Sequence, residues 1–296
     1  LPLAIEAVRA GKDVYCEKPL CHWTQFELLK EFVAEARKRQ AVVQVGAQWV
    51  SDPMWTTAAS LVAGGGIGKV VHAQTGYFRY GDGGERGMPV EDPNAEPGKG
   101  LDWLAFQGDG QERPFTVSRF FQWRLYLDYA GGPIMDLYPH PLTRLLKALN
   151  VDMPERVVAT GGRFLFGGGR EVPDTADLLI EYPGGPCVSV LGTQGNATGI
   201  DTVIRGSEGT MTFDKSFGMV VASRPGGKGA NRTLNSQQFE RNHLGDWIEC
   251  VRTRQKPRCD IELGYRVQVA LIMGMRSLME RKTALWDPVT EQIRMG

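Results

Sequence analysis

Two short runs, VYCE at 14–17 and AVVQVG at 41–46, flank an amphipathic stretch and constrain this chain more than any other feature. The second run is almost continuously apolar, the composition of a strand buried on both faces in a parallel sheet. Between them, WTQFELLKEFVAEARKRQ (23–40) places Phe26, Leu29, Phe32, Val33 and Ala36 on one helical stripe. Thr24 and Glu27 fit a capping box, in which side chains satisfy the orphan N–H groups of the first turn. Arg37, Lys38 and Arg39 suit the negative end of the helix dipole. Upstream, LAIEAVRAGK (3–12) reads as a helix stopped by Gly11. Strands joined through a helix pair in parallel, because so long a connection does not make a hairpin. Residues 1–50 therefore read as half of a doubly wound α/β sheet, and 51–296 as a second unit.

The pattern changes after Pro53. WTTAASLVAGG (55–65) reads as a helix and KVVHAQTGYFRY (69–80) as a strand. GDGGERGMPVEDPNAEPGKG (81–100) is a long loop, and loops of that length are commonly lids or disordered segments. Further strands are expected in RVVATGGRFLF (156–166), TADLLIEYP (175–183), CVSVLGTQG (187–195), DTVIRGS (201–207) and GTMTF (209–213). Short turn signals separate them, which fits an antiparallel sheet. Two helices close the chain, HLGDWIECVRT (243–253) and ELGYRVQVALIMGMRSLMER (262–281).

Lys plus Arg and Asp plus Glu are each 34, so the formal net charge is zero. With no basic stripe, nucleic acid is excluded as an expected partner. No apolar run approaches the roughly 20 residues that span a bilayer, so no membrane partner is expected either. Cys16, Cys21, Cys187, Cys250 and Cys259 form no CxxC pair and the four His do not join them, so no metal site is expected. They read as small core residues in a reduced compartment. A cytoplasmic location is expected, with a periplasmic one left open by the unseen true N-terminus.

GGGIGK (64–69) follows a helix and precedes a strand, the reverse of a phosphate-binding loop, and reads as a helix stop and turn. GGGR (167–170) reads as a hairpin turn. EKP (17–19) is short and alone fits an exposed acid and base. Its position gives it a second reading. Ligands of open α/β sheets bind beyond the carboxyl ends of the strands, and Lys18 stands there, with Pro19 stopping the strand. In GGPIMDLYPHPLTRLLKAL (131–149), Asp136 and His140 share a face if the segment is helical. A carboxylate beside an imidazole raises its basicity and orients it, as a general base requires; a helix cap and a satisfied core His is the plainer reading. Pro139 and Pro141 imply a kink or a late helix start. RFFQWRLYLDY (119–129) gathers Trp123, Arg124, Tyr126, Asp128 and Tyr129, a set that suits a sugar ring and equally a half-buried amphipathic segment.

Together these pieces resemble one family, the glucose–fructose oxidoreductase/inositol dehydrogenase/MocA-like oxidoreductases. AIEAVRAGKDVYCEKPL is similar to the segment around the family's EKP motif, VVQVGAQ to the following strand, and GGPIMDLYPH to its GGxxxDxxxH pattern. HLGDWIECVRTRQKPRCDIELGYR and LWDP resemble the C-terminal helices and tail of its bacterial branch. The resemblance implies an N-terminal Rossmann domain binding NAD or NADP, then an α/β domain with a large open, mostly antiparallel sheet. It implies that Lys18 matches the catalytic lysine and that Asp136 and His140 match the acid/base pair. Glu17, Lys18, Pro19 and Gln48 would line the nicotinamide end of the cofactor site. Trp123, Arg124, Tyr138 and His140 are the expected substrate contacts, the substrate being a sugar or polyol. The family's glycine-rich fingerprint and acidic ribose-binding residue lie upstream of the EKP segment, so the sequence is read as N-terminally truncated. Val50 stands where relatives often carry Arg. The expected activity is hydride transfer between the substrate and NAD(P). Glycoside cleavage through a transient keto-sugar, or an inactive sugar-binding remnant, are the alternatives. A homo-oligomer is expected by analogy.

Overall fold

The computed structural model describes residues 1–81, 89–108, 112–213, 218–223, 231–235 and 242–296. Helix α1 (Pro2–Arg9), strand β1 (Val14–Glu17), helix α2 (Phe26–Arg39) and strand β2 (Val43–Gly46) follow the expected order. β1 and β2 are parallel, running from Val14 opposite Val43 to Glu17 opposite Gly46. The stripe Phe26, Leu29, Phe32, Val33 and Ala36 is buried in full, and the helix closes on Gln40 at φ 52°. The expected capping box does not form. Gln25 is the N-cap, and Thr24 Oγ1 lies 2.7 Å from His22 Nδ1 instead. Gln25 Oε1 accepts from the His22 N–H at 3.2 Å, so the chain curls before the helix starts and draws Thr24 away from its N–H groups.

Helix α3 (Pro53–Ala63) is capped by Asp52, whose carboxylate accepts from Met54 N. GGGIGK indeed forms the stop and turn after it, with Gly65 and Gly68 at φ 72° and 71°. Strand β3 (Val70–Tyr80) then enters the large sheet. Of the expected loop at 81–100, residues 82–88 lie outside the described residues. Short helices α4 (Trp103–Gln107) and α5 (Val117–Phe121) lead to α6 (Gly132–Asp136) and α7 (Pro139–Leu149). Strands β4 (Arg156–Gly162), β5 (Thr175–Glu181), β6 (Cys187–Thr193), β7 (Gly195–Asn196), β8 (Thr202–Gly206), β9 (Gly209–Phe213), β10 (Gly218–Ser223) and β11 (Arg232–Asn235) follow. Helices α8 (His243–Thr253) and α9 (Ile261–Glu280) precede the closing hairpin β12 (Ala284–Asp287) and β13 (Gln292–Met295).

Among the described residues the large sheet has 11 strands, in the order β11-β10-β9-β8-β3-β6-β5-β4-β12-β13, with β7 beside β3. It is mostly antiparallel; β3 and β6 are parallel. That pair is joined through α4–α7 and the hairpin β4–β5, the long crossover that a parallel pair needs. GGGR belongs to a connection longer than a tight hairpin turn. Asp174, fully buried, accepts the N–H groups of Phe164, Leu165 and Phe166. Arg170, also buried, donates to the carbonyls of Val172 and Pro173. These bonds fold the loop back until Glu171 N and Val172 N reach Leu125 O at 2.8 and 3.2 Å.

Helix α9 is the common wall of the two sheets, buried at most of its positions. Two glycines set its approach. A Cβ at Gly264 would lie 2.5 Å from Val45 Cγ2, and one at Gly274 2.5 Å from Leu178 Cδ2. Leu178 therefore faces the helix, and by strand alternation Leu179 faces away. No helix among the described residues is long and apolar enough to cross a membrane. Replacing Gly264 by Val should force α9 off β2 and lower stability by about 1–3 kcal/mol, as overpacked cores do. A denaturant midpoint unchanged from wild type would refute this packing role.

Candidate active site

The carboxyl end of β1 meets the start of the α6–α7 pair. β1 ends at Glu17, and the next peptide, Lys18–Pro19, is cis. Beyond it, the buried amide of Gln268 on α9 takes both sides of the chain. Its Oε1 accepts from Leu20 N and its Nε2 donates to Cys21 O, each at 3.1 Å. His22 Nε2 lies 2.9 Å from Leu127 O, a further tie. Held so, Lys18 reaches across 118 positions and Nζ donates to Asp136 O at 2.6 Å and to Asp136 Oδ1 at 3.3 Å.

Asp136 closes α6, and α7 begins at Pro139. Pro139 and Pro141 fall in the first turn of α7, where a missing N–H costs nothing. The late start read from the prolines is what the chain adopts, and Asp136 and His140 lie on either side of a break rather than on one helix face. The packing of Gly132 fixes where α6 starts. Its φ is +58°, and a Cβ there would lie 2.9 Å from Pro173 O.

His140 is largely enclosed, and its Nδ1 has no hydrogen-bond partner. Burial pushes its pKa down from 6.5 to about 4; the Lys18 cation adds to this and Asp136 opposes it. The ring is thus neutral at pH 7 and able to accept a proton. The Asp136 oxygens bond elsewhere, to Lys18 and, at 3.4 Å, to Arg124 Nε. The expected orienting bond from Asp136 to His140 is replaced by an electrostatic influence.

Gln48 Nε2 donates to both Glu17 oxygens, at 3.3 and 3.4 Å. Gly46 makes room for that carboxylate, since a Cβ there would lie 2.4 Å from Glu17 Oε2. Glu17, Lys18, Pro19 and Gln48 thus gather at the carboxyl ends of β1 and β2.

The aromatic segment divides. Arg124 lies over the Trp123 ring at 4.2 Å, and both line a cavity of about 290 Å³ with Pro19, Cys21, Tyr129 and Asp136. Asp128 is held by Arg113 and Arg119 at 2.8 Å each, and Arg119 also pairs with Glu171 at 2.7 Å. Tyr126 donates to Ser118 Oγ at 2.8 Å. These two residues brace the segment from within. Tyr138 departs from its expected place at the substrate. It is fully buried and its hydroxyl donates to Ala176 O beneath the sheet. The helix break turns it inward, and Gly192 gives it space: a Cβ there would lie 2.7 Å from the hydroxyl.

Gln268 and Trp49 escaped the sequence reading. The amide of Gln268 stands alone in the apolar run VQVALIM, which was a signal of a buried polar contact. The Trp49 ring lies 6.1 Å from that of His140. The five cysteines are free, and among the described residues no cluster could hold a metal ion.

Residues 105–212 match the family model described as the GFO/IDH/MocA C-terminal domain. Solved structures with the same fold include aldose-aldose oxidoreductase from Caulobacter crescentus complexed with glycerol, at 21% identity and TM-score 0.67, covering 96% of this chain and 75% of that one. An NAD binding oxidoreductase from Klebsiella pneumoniae is 19% identical, with TM-score 0.71 and coverage of 95% and 76%. An inositol dehydrogenase homolog from Azotobacter vinelandii, complexed with NADH and myo-inositol, is 16% identical, with TM-score 0.67 and coverage of 94% and 73%. No curated protein matches the sequence. The match to the GFO/IDH/MocA C-terminal domain includes the whole Trp123–His140 side of the site.

The charges around His140 make a titration that can be checked. Its ring protons, followed by NMR, should titrate near pH 4 in the wild type and at higher pH in Lys18→Met, because a repelling cation is gone. The unfolded chain binds this proton more readily, so stability should fall as pH drops from 6.5 toward about 4. A midpoint that stays put in Lys18→Met would contradict the coupling.

Proposed function

We propose that this protein is an NAD(P)-dependent oxidoreductase that oxidises a hydroxyl of a sugar or polyol. One observation carries the reading: Lys18 bonded to Asp136 beside a neutral, buried His140 whose Nδ1 has no partner. This cluster stands where ligands of α/β sheets bind, beyond the carboxyl ends of parallel strands. Complexes of structural neighbours with NADH and myo-inositol, or with glycerol, support the same class of chemistry.

The residues present fit the nicotinamide end of a dinucleotide. Gly46 brings backbone and the Glu17 carboxylate into close approach, and Glu17, Lys18, Pro19 and Gln48 would hold that end. A bound NAD or NADP would supply the hydride acceptor. His140 would take the hydroxyl proton, the neutral ring being poised to receive it. Lys18 would place its ammonium against the oxygen as negative charge develops there. Asp136 would hold Lys18 in reach of both, and Trp123 with Arg124 would offer a face and donors to the sugar.

In this reading residues 1–50 belong to the nucleotide-binding unit and 51–296 to the substrate unit. A homo-oligomer is supported by the sheet face away from α9, where the paired Val158 and Leu179 are exposed. The test is NAD(P)⁺ reduction over a panel of sugars and polyols. Lys18→Ala and His140→Ala should each lower kcat/KM by about 10²–10⁴, the usual worth of acid–base catalysis. Unchanged turnover in both variants would overturn the assignment.

A further inference from the structure

Asp136 does not orient His140. Its oxygens bond to Lys18 and Arg124, and His140 Nδ1 has no partner. What the imidazole does have beside it is Trp49, its ring 6.1 Å away and tilted by 36°. Arg144 stands one turn further along α7, on the same face as His140. Its guanidinium lies over the same indole, at 4.9 Å. Trp49 therefore packs along α7 across both His140 and Arg144.

A buried pair that the chemistry above does not use fixes the place of this indole. After β2 the chain makes a single 3₁₀ turn, Gln48–Ser51. With about three residues per turn, successive side chains diverge. Gln48 turns to Glu17, Trp49 to His140, and Val50 into the core, where it is fully buried. Ser51 and His243 are 1% and 3% exposed. His243 Nε2 lies 3.0 Å from Val45 O, and a carbonyl only accepts, so Nε2 carries the proton. Burial pushes the His243 pKa down, which keeps the ring neutral. Nδ1 then accepts from Ser51 Oγ at 2.6 Å. The imidazole thus ties β2 to the far end of the turn, with Trp49 held between the two ties. Arg258 donates to Ser51 O at 2.8 Å, and Gln44 donates to His243 O.

We propose that Trp49 is the positioning residue for His140, and that the Ser51–His243 pair is the lock that keeps the indole against it. The inference rests on the oxidoreductase reading, in which His140 takes the hydroxyl proton. The indole limits the rotation of a ring that has no hydrogen bond at Nδ1, and it keeps water from one side of that ring. Orientation of this kind matters, since a misplacement of about 1 Å can cost a reaction about a hundredfold. The charged groups that act on His140 are Lys18 and Arg144, which repel its proton, and Asp136, which favours it. All three remain when Trp49 is shortened, so a change in the His140 titration then reports its enclosure.

The test combines NMR titration of the His140 ring protons, assigned by their absence in His140→Ala, with kcat and KM on a sugar or polyol that the wild type turns over. The variants are Trp49→Ala, Trp49→Phe and Ser51→Ala. In Trp49→Ala the midpoint should rise from about 4 toward 6.5, by roughly one pH unit or more, as water reaches the ring. Its kcat should fall about tenfold to a hundredfold, with KM changed by less. Trp49→Phe keeps an aromatic face on the imidazole and should retain most of both properties. Ser51→Ala should shift both in the same direction as Trp49→Ala, by a smaller amount. An unchanged kcat in Trp49→Ala, whether or not KM rises, would overturn the positioning role, and loss of turnover in His140→Ala would then leave the oxidoreductase reading standing. An unmoved midpoint in Trp49→Ala would overturn it as well, because the indole would not enclose the ring. Effects in Trp49→Ala with none in Ser51→Ala would overturn the lock. No turnover of any sugar or polyol by the wild type would sink the oxidoreductase reading and the positioning role with it.

Discussion

The site depends on one buried amide. Gln268 is 2% exposed and sits on the helix that both sheets share. It accepts from Leu20 N and donates to Cys21 O, so two backbone groups just after the EKP stretch are satisfied by a single side chain. A buried N–H or C=O left without a partner costs about 1–3 kcal/mol, and replacing Gln268 by an apolar residue would strand one of each. The clamp therefore fixes where β1 must end and where Lys18 must point. Gly264, one turn earlier on α9, lets the helix come close enough to β2 and Leu20 for the amide to reach.

From that anchor the electrostatics follow. Lys18 reaches Asp136 at the end of α6, and the pair stands beside a largely enclosed imidazole. Burial and the Lys18 cation together hold His140 neutral, with Asp136 opposing them in part. A base with a pKa pushed down to about 4 is weak as a free group. It suits a reaction in which the same Lys18 steadies the alkoxide left behind, since the proton then leaves an acid made stronger by its surroundings. The loop anchored by Asp174 and Arg170 supports the other wall, by tying residues 171–172 to Leu125 next to Arg124.

The sequence revealed much of this through periodicity and punctuation. The parallel pair β1–β2, the crossover stripe on α2 and the strand end at EKP were all legible, because each is a local pattern. So was the late start of α7, from its two prolines. What was illegible is long-range. Nothing local shows that Lys18 and Asp136, 118 positions apart, will bond. Asp128 reads like a sugar ligand until Arg113 and Arg119 are seen to hold it. Tyr138 is an expected substrate contact under the family resemblance, yet the helix break turns it into the core. Thr24 fits a capping box by spacing, but the bond to His22 was not visible in that pattern.

The proposed chemistry requires that Lys18 be held where it is, and the Gln268 clamp fixes the chain just beyond it. Amide hydrogen exchange at Leu20, compared between the wild type and Gln268→Leu, measures that hold directly. Exchange at Leu20 should be strongly slowed in the wild type and should speed up by at least about tenfold in the variant, the equivalent of 1.4 kcal/mol and within the cost of a lost buried hydrogen bond. Equal protection in the two proteins would show that something other than Gln268 fixes the strand end.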